Sequence, residues 1–377
     1  MLELKHYIGG EFQSGGTGYV DSINPTNPSE TLGRAPQADE EQIAQAVDNA
    51  TSAQEAWKRQ TGPARSALLT TWAEKIATRQ EEMAQAVAAE VGKPISEARG
   101  EVQRCVAILR YYAGESIRAS GSVIPSLTPG ALQYSLQEPL GVVGLITPWN
   151  FPLAIPLWKA APALAVGNAV ILKPSEHSPW CAQILAETAK EAGVQSQFQV
   201  VQGAGQAGKA LIKHEDVKAI SFTGSDRTGA IISVACAQRG KKLQTEMGGK
   251  NVAIVLRDAD LVQAANLVAG GAMRFAGQKC TATSRVVVDT AISGQFIDEL
   301  KKAIEALPVG SPLEVSTAIG PVISGESQSR ILGSLNGGDR IYVGTQPSEG
   351  FFVPPTVVGG IDENHELSQN ELFGPVL

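Results

Sequence analysis

Cysteine is scarce in this chain of 377 residues. The four present, at 105, 181, 236 and 280, show no Cys-x-x-Cys spacing, which argues against both a disulfide framework and a thiolate metal cage. The four histidines, at 6, 177, 214 and 365, stand apart without a His-Glu-x-x-His pattern, so no metal site is expected. Basic charge is in deficit: Lys and Arg total 31 against 38 for Asp and Glu, a net charge of -7. That balance suits neither phosphate backbones nor anionic bilayers, and nucleic-acid and membrane partners are not expected. No run approaches the ~20 apolar residues of a spanning helix, and residues 1–8 lack the basic-then-apolar run of a secretory leader. A soluble, cytoplasmic protein is expected.

What the chain has is hydrophobic mass, 43% of positions, over a length that calls for more than one domain. The first third reads mostly as helix. Asp39 is a candidate N-cap with Gln42 three residues on, Pro63 marks the start of a second helix, and a third runs from about Ile95 through Cys105 and Tyr112. Residues 122–137, with Thr128-Pro129-Gly130 as turn residues, read as a projecting hairpin. Short apolar strands then alternate with helices: strands 141–147, 169–172, 198–202 and 217–222, helices 154–166, 179–192, 206–213 and 226–238. This is the pattern of βαβ units on a mostly parallel sheet, hence an α/β, doubly wound domain. The alternation restarts after Gly248-Gly249, with strands 252–256 and 285–288 and helices 260–275 and 296–307. A second α/β unit is expected there, and the apolar end at residues 374–377 reads as the opening of a further element, as though the chain were cut.

Three features could carry chemistry. Gly203, Gly205 and Gly208 spell a Gly-x-Gly-x-x-Gly after a strand, and Gly224, Ser225 and Gly229 sit at the next strand end. Each is either a dinucleotide-phosphate turn or an ordinary tight turn. Cys280, in a Gly-containing turn beside Lys279, is either an accessible thiol or an inert buried one. Glu246 ends a strand-like segment at the domain junction, where a carboxylate is a general base if it faces a cleft and a plain surface glutamate if it does not.

Six co-linear segments resemble the NAD(P)-dependent aldehyde dehydrogenase superfamily: Ile146-Thr-Pro-Trp-Asn-Phe-Pro152, Leu172-Lys-Pro-Ser-Glu176, Phe222-Thr-Gly-Ser225, Glu246-Met-Gly-Gly-Lys250, Gly277-Gln-Lys-Cys280 and Glu371-Leu-Phe-Gly-Pro375. The resemblance implies that fold: a Rossmann-like cofactor domain (1–121 and 138–247), an oligomerisation hairpin (122–137) and an α/β catalytic domain (248–377). It makes Cys280 the nucleophile, Asn150 an oxyanion donor and Glu246 the base that activates water on a thioester. For NAD or NADP it implies Trp149, Lys173, Glu176, Gly203, Gly224, Ser225, Gly229, Glu371 and Phe373. Glu176 favours NAD because a carboxylate accepts from a ribose 2'-hydroxyl and repels a 2'-phosphate.

Further likeness, in Ala107-Ile-Leu-Arg-Tyr-Tyr-Ala-Gly-Glu115 and Pro156-Leu-Trp-Lys-Ala-Ala-Pro-Ala-Leu164, is to the 2,5-dioxovalerate (2-oxoglutarate semialdehyde) dehydrogenases. Succinic semialdehyde and broad-specificity aldehyde dehydrogenases are similar too. The succinic enzymes hold the substrate carboxylate with two arginines; here Arg274 stands at one of those positions and Trp158 at the other. The family implies a small aldehyde as substrate, a homodimer or homotetramer as assembly, and a chain that continues past residue 377. A non-catalytic, truncated nucleotide-binding or structural fragment is the alternative.

Overall fold

The runs Val142–Ile146 and Ala169–Lys173 are buried at every position and pair in parallel, Val143 opposite Val170 and Leu145 opposite Leu172. Burial on both faces is what the unbroken apolar sequence requires. Alternate residues serve opposite layers. Leu145, Val170 and Leu172 join one core with Trp72, Leu109, Leu157 and Phe198, while Ile146, Ala169 and Ile171 join the other with Ile43, Val47, Leu211 and Ile220.

The computed structural model describes residues 1–118, 120–335 and 337–377. Its main sheet has seven strands in the order Lys242–Glu246, Val217–Thr223, Val142–Ile146, Ala169–Lys173, Phe198–Val200, His6–Ile8, Glu11–Gln13. The first five are parallel and the last two are added antiparallel. Within the parallel set the first strand in the chain is central, the next two lie to one side and the following two to the other. The order therefore reverses between Val142–Ile146 and Val217–Thr223, and the crevice above their carboxyl ends is where such a sheet receives ligands.

The capping box at Asp39 and Gln42 starts the helix Glu40–Trp57, and Thr61 with Pro63 starts Gly62–Thr78. The helices of the first third begin where the sequence places them, after Asp39; what the sequence does not announce lies before that residue. Five strands precede residue 40, and His6–Ile8 is held by pairing with Phe198–Val200, a partner far away in the chain. Strands of two to six residues leave no periodicity to read.

A further core gathers Val255, Val268, Met273, Phe296, Leu300, Ile319 and Val353 around the parallel pair Val252–Val255 and Arg285–Val288, with the helices Leu261–Met273 and Ser293–Glu305. The strands Gly121–Ile124 and Gln133–Leu136 pair antiparallel with every residue exposed. No helix among the described residues is long and apolar enough to cross a membrane.

Candidate active site

The two strands beyond the switch point carry polar residues with period two. Ser221 lies opposite Gln244 and Thr223 opposite Glu246. All four line a cavity of about 570 Å³, with Phe151, Ile155, Trp158, Lys159 and Pro162 from the loop and helix that follow the first strand, and with Cys280 and Thr281. Three residues singled out from sequence, Cys280, Glu246 and Trp158, thus face one space. Arg274 does not line it: the residue is exposed, its stem runs past Gly270, and its guanidinium has no ion pair among the described residues.

Cys280 is delivered by a strained turn. The helix Leu261–Met273 stops two residues short of its sequence-predicted end because Phe275, Ala276 and Gly277 all take left-handed backbone, with φ of 54°, 51° and 64°. A Cβ on Gly277 would lie 2.2 Å from the carbonyl oxygen of Gly374, so the turn packs directly on the 371–375 segment. Gln278, fully buried, pins the turn: its Oε1 accepts from Ile323 N at 2.9 Å and its Nε2 donates toward the Pro321 carbonyl at 3.3 Å. Asn251 Nδ2 donates to the carbonyls of Cys280 at 2.7 Å and Ala282 at 2.9 Å.

Of the four cysteines only Cys280 is exposed. Partial burial pushes its thiol up, and the carboxylates of Glu371 and Glu246 push the same way, against the amides of Cys280 and Thr281, which donate toward the sulfur. Asn150 is buried, and its Nδ2 donates to the carbonyl of Gln278 at 3.0 Å, while its Oδ1 has no partner among the described residues. An amide nitrogen has two hydrogens, so one N–H remains for a second acceptor. Glu246 accepts from Gln244 Nε2 at 2.8 Å. Lys159, nearly buried, donates to Ser221 Oγ at 2.9 Å and Gln244 Oε1 at 3.1 Å; burial lowers it to about 8, although Glu246 acts to raise it. Lys279 is paired with Glu97 at 3.5 Å.

The remaining predicted residues lie around the crevice above the sheet. Lys173 is 4% exposed, and its Nζ donates to the Gly203 carbonyl at 3.3 Å and stands 4.0 Å from Glu176. Burial lowers this ammonium, with Glu176 opposing. Its spare donors, the half-exposed Glu176 carboxylate and the buried, unpartnered hydroxyl of Thr147 together suit a diol such as a ribose. Gly203 has φ of 135° and opens the turn before the helix Gly205–Lys213, on the third parallel strand rather than the first. Ser225 caps the helix Asp226–Ala237, which follows the strand Val217–Thr223 bordering the switch point. Gly224 and Gly229 make room for the Phe222 ring and Met247 Sδ, so their first duty is packing. Trp149 and Phe373 meet edge to face at 5.7 Å, Phe373 with φ of 53°. Glu371 is raised by burial, against the Gly249 amide that donates to it, and a Cβ on Gly248 would lie 2.1 Å from its Oε2. The residues fit a dinucleotide spanning these two ends.

Gln278, Asn251, Ser221, Thr223 and Gln244 were not expected at the site. The period-two polar residues at the ends of two neighbouring strands were the available signal for the last three; Gln278 and Asn251 act through contacts with backbone groups, which leaves no signature in sequence.

A profile described as "Aldehyde dehydrogenase family" matches residues 12–377. The alpha-ketoglutaric semialdehyde dehydrogenase of Bacillus subtilis is 39% identical, over 99% of this chain and 79% of its own length. Malonate-semialdehyde dehydrogenase 2 of Geobacillus kaustophilus is 34% identical, over 99% and 79%. Among solved structures, the NAD+ complex of an aldehyde dehydrogenase from Bacillus cereus superimposes with a TM-score of 0.95 at 36% identity, covering 100% of this chain and 78% of that one. A structure titled as an NADP dependent enzyme of E. coli gives 0.96 at 32%, covering 100% and 80%.

Proposed function

Since the chain belongs to the aldehyde dehydrogenase family, NAD(P)-dependent oxidoreductases of aldehydes, we propose that it oxidises 2,5-dioxopentanoate to 2-oxoglutarate, with Cys280, Asn150 and Glu246 as its catalytic residues. The observation that carries this reading is that Cys280 and Glu246 line one cavity, with the free N–H of Asn150 held beside the cysteine turn.

The Cys280 thiolate attacks the aldehyde carbon; a C–S bond forms and the carbonyl electron pair moves to oxygen. That oxyanion is met by the second N–H of Asn150 and the Cys280 amide, neutral donors that stabilise charge without trapping it. Bound NAD or NADP supplies the hydride acceptor for this carbon, which leaves a thioester on Cys280. Glu246 takes a proton from a water that adds to the thioester carbon, the C–S bond breaks, and the thiolate is restored as the carboxylate product leaves. Lys173, Glu176 and Gly203 hold the adenosine ribose, the turn of Gly224, Ser225 and Gly229 the pyrophosphate, Glu371 and Phe373 the nicotinamide ribose, and Trp149 the wall between. Glu176 tilts the preference toward NAD.

For the substrate, the name of the Bacillus subtilis relative supports a semialdehyde bearing an α-keto carboxylate, and the Lys159 ammonium on the cavity wall supports an anion. Trp158 shapes that wall, while Arg274 lies outside the cavity lining and is not assigned to the distal carboxylate. A shorter semialdehyde is the second reading, favoured by the 34% identity to a malonate-semialdehyde dehydrogenase. We further propose that residues 1–121 and 138–247 form the cofactor unit, 248–377 the catalytic unit, and the exposed hairpin a seam with a second copy, since Val123, Ile124, Tyr134 and Leu136 project uncovered.

The test is formation of reduced nicotinamide with 2-oxoglutarate semialdehyde, malonate semialdehyde, succinic semialdehyde and a neutral aldehyde, under each cofactor, beside Cys280→Ser. Turnover that needs Cys280 and ranks the keto-acid semialdehyde first in kcat/KM supports the proposal. A neutral aldehyde ranked first overturns the substrate.

A further inference from the structure

The helix Ala154–Ala165 carries Ile155, Trp158, Lys159 and Pro162 into the cavity, yet its N-cap is Leu153, whose side chain cannot accept a hydrogen bond. The orphan first-turn amides that every helix leaves must find another acceptor. Here they find Glu101, on the helix Ile95–Glu115, whose Oε1 accepts from Leu153 N at 2.9 Å and Ala154 N at 3.0 Å. The other oxygen of Glu101 is bonded to Lys93, and both side chains are wholly buried. The Lys93 ammonium in turn lies over two aromatic faces, 3.7 Å from the centroid of Phe151 and 4.7 Å from that of Phe275.

This pair touches both halves of the reaction centre at once. Phe151 and Leu153 directly follow Asn150 in the loop before the Ala154–Ala165 helix; Phe275 opens the left-handed turn that leads to Cys280. A buried ion pair is a poor device for stability alone, because apolar replacements of similar volume are often neutral or better. Its directional bonds, in contrast, can fix two backbone segments relative to each other. Resting on the reaction assigned above, we propose that Glu101 is a positioning residue that sets the distance between the Asn150 donor and Cys280. Glu101 acts by capping the Ala154–Ala165 helix from outside, and Lys93 supplies the buried counter-charge that holds its carboxylate there.

Removing either charge alone strands the other in the core, so the test uses variants that keep the charges balanced. Glu101→Asp keeps the pair but withdraws the oxygen from the two amides; Lys93→Met/Glu101→Gln removes both charges but leaves an oxygen within reach of them. Each is compared with the native chain by titration of reactive Cys280, cofactor affinity, kcat per titrated site, and the isotope effect with 1-deuterated aldehyde. Native turnover is measured first, so a failure of the assigned reaction shows there and not in the variants. Glu101→Asp is expected to bind cofactor as the native chain does, to lose at least ten-fold in kcat per site, and to show a larger primary isotope effect, since oxyanion formation and hydride loss become the slow steps. Lys93→Met/Glu101→Gln is expected to stay within about three-fold. Native kcat per site in Glu101→Asp, the reverse ranking, or losses explained wholly by fewer titratable thiols would overturn the proposal.

Discussion

The side-chain amide of Asn150 donates to the main-chain carbonyl of Gln278, two residues before Cys280, at 3.0 Å. This bond ties the loop after the central strand to the turn bearing the Cys280 sulfur, and it leaves the second N–H of the amide available. The proposed oxyanion donor and the proposed nucleophile are thus fixed to each other by a contact that neither needs for chemistry. Preorganisation of this kind is what makes a donor effective at a developing charge.

The turn itself tolerates little. In Gly277→Ala the new Cβ would meet the Gly374 carbonyl at 2.2 Å on a backbone with φ of 64°. A loss of about 3 kcal/mol in stability is expected from overpacking and backbone strain together. Thermal unfolding should show a lowered Tm with reduced turnover, and an unchanged Tm would mean that the turn is not held as described.

Burial and the carboxylates of Glu371 and Glu246 raise the Cys280 thiol. Neutralising a nearby negative charge favours the thiolate, so Glu371→Gln should move the pH profile of iodoacetamide alkylation to lower pH. A profile that stays in place would remove Glu371 from the electrostatics of the nucleophile.

Lys159 has a second, separable signature. Burial brings it down to about 8, so it is a cation below that pH and neutral above it. The KM for a carboxylate-bearing aldehyde should therefore rise as pH passes about 8, while that for a neutral aldehyde stays level. Parallel changes in both would show that Lys159 does not attract the substrate.

Cofactor choice turns on Glu176, which stands 4.0 Å from the Lys173 ammonium. Glu176→Gln removes the repulsion of a 2'-phosphate, and the ratio of kcat/KM for NADP over NAD should increase about ten-fold. An unmoved ratio would place cofactor selection elsewhere.

The parallel sheet was legible because strands such as Val142–Ile146 and Ala169–Lys173 are apolar on both faces and the helices between them keep their period. Cys280, Glu246 and Asn150 stand in spaced motifs, and the fold brings Cys280 and Glu246 to one cavity with Asn150 bonded to the cysteine turn. What escaped the sequence depends on contacts between distant segments: the strand His6–Ile8, the left-handed Phe275 and Ala276, which no glycine announces, and the capping of Ala154 by Glu101 across 53 residues. The placement of Arg274 outside the cavity lining is of the same kind, set by how the helix Leu261–Met273 ends.

The central claim is that the substrate passes through a thioester on Cys280 which Glu246 discharges. The most direct measurement is a single turnover of Glu246→Gln with cofactor and 2-oxoglutarate semialdehyde, followed by mass spectrometry of the peptide containing Cys280. A rapid burst of reduced nicotinamide, steady turnover slowed by about 10²–10⁴ and an acyl adduct on Cys280 matching the burst are expected. A burst without an adduct, an adduct on another residue, or undiminished steady turnover would contradict the claim.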